Sequence, residues 1–177
     1  MIHLREEDIQ KTIEHITNCL MIAAQTAPKG RGMDTLIIQT VTETEKKSLI
    51  SKMEEIGKQS EDTVFFLRDA ENIAISQAVI LMGTTPEARG LDCELCGFPN
   101  CGKKPVSQPC VFNMVDLGIA LGSAVCSAME FKVDNRIMYS AGKAAAELQL
   151  LGENIRCIFA IPLSVSSKSI FFDRKPH

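Results

Sequence analysis

The sequence predicts an α+β fold: a sheet flanked by helices, with one long apolar helix at its centre and an irregular cysteine-rich loop set into it. Three observations lead there. Segments of helical periodicity are interspersed with short β-branched runs of strand length. Residues 111–131 form the longest apolar stretch of the chain. Just before it, residues 86–110 combine Gly90, Gly97, Gly102, Pro99, Pro105 and Pro109 with four of the seven cysteines.

The first element is a helix. Over residues 6–27, Ile9, Ile13, Ile16, Leu20, Ala23 and Ala27 recur at spacings of three and four, which lines one helical face. Pro28-Lys29-Gly30-Arg31-Gly32 ends it in a loop. Leu36–Val41 is a β-branched run and reads as a strand. Thr42 and Glu45 have capping-box spacing and open a helix carrying Leu49, Ile50, Met53 and Ile56, which stops near Gly57. Residues 61–74 are expected to be helical, and Ala78–Met82 is a buried strand closed by Gly83-Thr-Thr-Pro86. After the cysteine segment, the 111–131 helix is apolar on nearly all sides and is expected to be buried in protein. Asn113 and Asp116 argue against a membrane span, and Gly118 and Gly122 would let another backbone approach closely. A second Ala-rich helix covers about 140–151, ending at Gly152, and Ile155–Ile161 is the last strand. The chain, 1–177, is expected to form one domain, with 86–110 as an insertion within it.

Composition excludes several classes. The chain is 45% hydrophobic and 23% charged, with a net charge of -3 and a pI of about 5.7. Its basic residues are scattered, Trp is absent and Tyr139 is the only tyrosine, so no nucleic-acid surface is indicated. Met1–Asp8 turns polar within four residues and carries no secretory pattern, which places the protein in the cytoplasm. There, clustered cysteines bind metal or do redox work rather than form disulfides. No serine sits in a G-x-S-x-G setting, no G-x-G-x-x-G follows a strand, and His3, His15 and His177 lack ligand spacing.

Cys93, Cys96, Cys101 and Cys110 are spaced C-x2-C-x4-C-x8-C within eighteen residues. The C-x2-C pair puts two thiolates on one tight turn, and Gly97 and Pro99 bend the chain so that Cys101 reaches the same centre. Thiolate-only ligation at these short spacings is the pattern of an iron–sulfur cluster, with the compact motif favouring four iron, 4Fe-4S. Zinc held by four thiolates is the alternative. Cys126 is the alternative fourth ligand, but four turns into an apolar helix it is expected to pack as a small hydrophobe; Cys19 and Cys157 read as structural. Backbone amides around Cys96 and Cys101 can donate to the sulfurs of such a cluster, and Lys103 and Lys104 either offset its charge or are simply two solvated lysines. The Lys29–Gly32 loop is either a flexible connection or an anion site using Arg31.

Cys93-x-x-Cys96-Gly-Phe-x-x-Cys101 resembles the iron–sulfur motif of small bacterial ferredoxin-like domains, which have a longer gap to the fourth cysteine. Together with Asp116-Leu-Gly-Ile-Ala-Leu-Gly-Ser-Ala and Asp134-Asn-Arg-Ile-Met-Tyr-Ser-Ala-Gly, it resembles a family of uncharacterised ferredoxin domain-containing proteins from anaerobic bacteria and archaea. That likeness implies a cofactor rather than a reaction. The order of elements is also similar to the nitroreductase family, flavin enzymes with a homodimeric α+β core around a central helix. This second resemblance implies a homodimer built on helix 111–131 and, as a further expectation, FMN with its phosphate near Arg31, Lys168 or Arg174. The sequence departs from that family in its N-terminal phosphate clamp, reduced to Arg5, and in the loop after the first helix, which offers Lys29 and Arg31 in place of serine and asparagine. The expected activity is one-electron transfer with an unknown redox partner, or flavin-linked oxidoreduction fed by the cluster. In the zinc alternative, the loop holds only a binding module together.

Overall fold

The computed structural model describes residues 4–172. Among them the strands β1 (Leu36–Thr40), β2 (Ala78–Thr84), β3 (Asp134–Asn135) and β4 (Cys157–Ser164) form an antiparallel sheet in the order β1-β2-β4-β3. Helices α1 (Glu6–Thr26) and α4 (Val111–Glu130) cover one face. Helices α2 (Glu43–Gly57), α3 (Phe65–Ile75) and α5 (Tyr139–Glu147) cover the other.

Each central strand feeds both layers. Along β2, Val79 and Leu81 point to the α2/α3/α5 side, while Ile80 and Met82 point to the α1/α4 side. Along β4, Ile158 and Ala160 alternate in the same way with Ile161 and Leu163. A strand buried on both faces loses the polar alternation of a half-exposed one, which is why 78–82 reads as a continuous apolar run.

The element boundaries mostly match the sequence reading, and the differences have local causes. Thr42 and Glu45 form the expected capping box: the Thr42 amide donates to Glu45 Oε2 at 2.8 Å, and the Glu45 amide donates to Thr42 Oγ1 at 3.3 Å. Helix α5 stops at Glu147, four residues before the expected end, and the chain then turns with Gln149 at φ 55° and Gly152 at φ 110°. β4 runs on to Ser164, past Pro162. Ala160 exchanges both backbone bonds with Met138, so Pro162, two residues on, faces that same edge of β4. Its missing N–H falls where β3 and the Met138 bridge leave a gap in the ladder. The two-residue β3 is too short to leave a periodic signal in the sequence.

Helix α4 departs from expectation in a consequential way. It is not buried all round. Asn113, Asp116, Leu117, Ala120, Leu121, Ala124 and Ala128 face the protein. Val115, Gly118, Ile119, Gly122, Cys126 and Met129 face outward, with Val115 50% and Met129 69% exposed. A Cβ built on Gly118 or Gly122 would meet nothing within 4 Å, so neither glycine serves a close approach inside this chain. Length and apolar composition alone would let α4 cross a membrane. Its buried face, however, holds Asn113 and Asp116 in hydrogen bonds within the protein, the environment of a core helix.

The close approach occurs instead at Gly142 in α5. A Cβ there would lie 1.9 Å from the Ile158 carbonyl oxygen of β4. Gly142→Ala is therefore expected to destabilise the fold by about 3 kcal/mol or more, because both clashing groups are backbone-anchored and cannot relax by a rotamer change. Denaturant unfolding of the purified variant measures this.

Candidate metal centre

The segment between β2 and α4 is irregular apart from a short turn of 3-10 helix at Cys101–Lys103. Its two ends are held by polar side chains reaching backbone carbonyls. Asn113, fully buried in the first turn of α4, donates through Nδ2 to the carbonyls of Thr85 at 2.9 Å and Glu87 at 2.8 Å. Lys104 donates its ammonium hydrogens to the carbonyls of Pro86, Pro105 and Gln108. The loop thus leaves the sheet and returns to α4 through one tied neck.

Between those ends the backbone turns repeatedly through left-handed conformations. Gly90, Asp92, Glu94 and Gly97 have φ of 66°, 46°, 61° and 83°. The Gly97 amide donates to the Glu94 carbonyl at 2.8 Å, closing the turn that carries Cys96. Asp92 Oδ1 accepts the Cys101 amide at 2.7 Å, and Asn100 Oδ1 accepts the Lys103 amide at 3.0 Å.

The four expected ligands line one hollow. Cys93, Cys96, Cys101 and Cys110 share it with Arg89, Phe98, Asn100, Lys104 and the first residues of α4. All four are free thiols, graded from the exposed Cys93 through the half-buried Cys96 and Cys101 to the buried Cys110 at its base. Cys110 is the N-cap residue of α4 and its carbonyl accepts the Asn113 and Met114 amides. The unpaired first-turn amides of this long helix put a positive potential beside the hollow, which favours a negatively charged occupant. Among the described residues, no three His, Cys, Asp or Glu side chains are drawn together as tightly as one bound metal ion would require. The donor set nonetheless suits an iron–sulfur cluster: four thiols facing one space, in a segment without histidine.

Several expected contributors have other work. Lys104 is committed to backbone carbonyls, Lys103 is exposed, and the amides of Gly97 and Cys101 are bonded inside the loop. Cys126 does not pack as a small hydrophobe; it lies on the exposed face of α4 and does not line the hollow. Cys19 is half-buried, 3.8 Å from His15 Nε2 on the next turn of α1. Burial raises the thiol pKa of Cys157 above its ordinary value, which keeps it protonated and unreactive.

The residues considered for a flavin phosphate are not gathered into a site. Lys29 caps the C-terminal carbonyls of α1, reaching Ala24 at 3.2 Å and Ala27 at 3.0 Å. The Gly30 amide donates to Asp116 at 3.0 Å, and Arg31 (φ 58°) donates through Nη1 to the Arg89 carbonyl at 2.8 Å. Lys168 is exposed, its own amide and carbonyl engaged with Ser166. Arg174 lies outside the described residues.

One residue that the sequence reading passed over stands at the centre of this arrangement. Arg89 is 1% exposed, pairs with Asp116 through Nη2, donates to Thr35 Oγ1 at 3.1 Å and reaches the Met33 carbonyl through Nη1. A lone arginine in a Gly/Pro-rich stretch reads as solvated; only its carboxylate partner, 27 positions away on α4, explains its burial.

Residues 107–174 match the family described as uncharacterized proteins containing a ferredoxin domain. An uncharacterized protein of Archaeoglobus fulgidus is 38% identical over 184 residues, spanning 98% of this chain and 98% of that one. The chain belongs to that family. In this ferredoxin-domain protein the matched residues take in Cys110 and run from α4 through β4, while Cys93, Cys96 and Cys101 lie upstream. Solved structures show the fold. A nitroreductase with bound FMN from Bacteroides fragilis superposes with a TM-score of 0.61 at 15% identity, covering 99% of this chain and 85% of that one. A second, from Desulfitobacterium hafniense and also with bound FMN, gives 0.60 at 17% identity over 92% and 81% of the two chains. The ferredoxin-domain protein therefore has the nitroreductase fold.

The neck yields a direct test. Asn113→Leu removes the donor shared by two part-buried carbonyls, those of Thr85 and Glu87, and is expected to cost about 1 kcal/mol. It should also speed amide exchange across residues 85–110 more than in the sheet, as read by hydrogen–deuterium exchange.

Proposed function

We propose that this protein is an iron–sulfur electron carrier, with Cys93, Cys96, Cys101 and Cys110 holding one cluster of the four-iron type. The observation that carries the reading is that four free thiols, from a turn, a bend and a helix cap, line one hollow, in a member of a ferredoxin-domain family. A bound cluster supplies one-electron acceptance and donation. The chain's own residues prepare the site. The Glu94–Gly97 turn sets Cys96, Asp92 fixes the backbone at Cys101, and the α4 cap sets Cys110. The amino end of α4 and the buried guanidinium of Arg89 offset negative charge. The exposed Cys93 edge, with the exposed apolar side chains of Leu91 and Leu95 two residues to either side, is where an electron partner would approach.

The outward face of α4 supports a homodimer. Val115, Gly118, Ile119, Gly122 and Met129 form an apolar stripe on which a second copy's α4 could lie, with the two glycines permitting close helix contact. We place the protein in the cytoplasm, where thiols stay reduced. A second reading, a flavin-linked oxidoreductase fed by the cluster, is favoured by the fold shared with FMN-bound nitroreductases. The zinc-stabilised module rests on the same four thiols.

Anaerobically purified protein is expected to show a broad absorption band near 400 nm, the region of thiolate-to-iron charge transfer, that bleaches with dithionite. Cys101→Ser should lose the band and the iron, and Cys126→Ser should keep both. A colourless protein with bound zinc would leave the structural module, and yellow flavin released on denaturation would establish the second reading. Light scattering should give twice the 19.4 kDa chain mass, falling to the monomer in Gly122→Arg.

A further inference from the structure

One nitrogen of Arg89 is left without a partner. Its Nη1 and Nη2 groups are engaged by Met33, Thr35 and Asp116. Its Nε–H is buried and, among the described residues, meets no hydrogen-bond acceptor. A buried unpaired donor, and one on a charged group, is costly, and native proteins seldom leave one without a use. The same side chain lines the cysteine hollow. Three other donors expected to serve that hollow are taken: the Cys101 amide by Asp92, the Gly97 amide by Glu94 and the Lys104 ammonium by three carbonyls.

We propose that Arg89 Nε–H donates to a sulfur of the bound cluster, making Arg89 the positioning residue that sets its reduction potential. This rests on the iron–sulfur reading and extends it to a residue outside the cysteine motif. A donor aimed at sulfur stabilises the reduced, more negative cluster and raises the potential. Asp116 holds the guanidinium in place, and its own other contact is the Gly30 amide, so the donor is anchored by α4 and by the loop after α1 together.

Lysine tests this closely, because Arg89→Lys keeps the positive charge but puts a methylene where the Nε–H was. The reconstituted variant is expected to have a lower midpoint potential by about 59 mV, a tenfold shift of a one-electron equilibrium. Because that variant can fail to fold, the wild-type protein carrying nitrogen-15 arginine supplies a second readout. Its reduced cluster should show hyperfine coupling to an arginine nitrogen. An unchanged potential in Arg89→Lys, or absence of that coupling in the labelled wild type, overturns the assignment while leaving the cluster in place. A wild-type protein that takes up no cluster overturns the underlying reading as well.

Discussion

The buried ion pair between Arg89 and Asp116 is the contact on which the rest of the site depends. It joins three segments far apart in sequence: the stretch between α1 and β1, through the Gly30 amide on Asp116 and through Met33 and Thr35 on Arg89; the start of the cysteine loop; and α4. Removing both charges from water is expensive, and such a pair contributes little net stability against a well-packed apolar replacement. Breaking it from one side is different, since the partner is left charged and buried. Its value is positional: with Arg89 held at one end of the hollow and Asp116 in the second turn of α4, the loop has few places to go.

The loop itself is a problem in chain entropy. Some twenty-five residues without regular structure would be costly to order by backbone bonds alone. The protein solves it with side chains. Asn113 and Lys104 between them satisfy five carbonyls at the neck, while Asp92 and Asn100 bond amides inside the loop. These internal bonds occupy donors of the loop, while the amino end of α4 and the paired Arg89 guanidinium lie beside the hollow.

Helix α4 serves two purposes with its two faces. The inner face carries the polar residues that hold the loop and the small residues that pack on α1, where Ser123 Oγ donates to the Ala23 carbonyl at 2.8 Å. The outer face is apolar and carries Gly118 and Gly122 in open space. The same helix that presents its amino end to the cysteine hollow therefore also presents an exposed apolar stripe.

What the sequence determined by itself was whatever depends on local chemistry. Periodicity placed α1 and α2, the length of the apolar run placed α4, the Thr42–Glu45 box placed the start of α2, and the C-x2-C-x4-C-x8-C spacing picked out the four thiols that share the hollow. Each of these signals is carried by residues within a few turns of one another. The tertiary structure decided what depends on distant partners. It alone sets which side of α4 is buried, because an all-apolar helix has no polar face to declare its orientation. It alone commits Lys104 to carbonyls, turns Cys126 outward and requires Gly142 for the contact with β4. Arg89 shows the limit most clearly: its meaning lies in a carboxylate on another element, and an arginine's charge says nothing about its neighbours until the chain has folded.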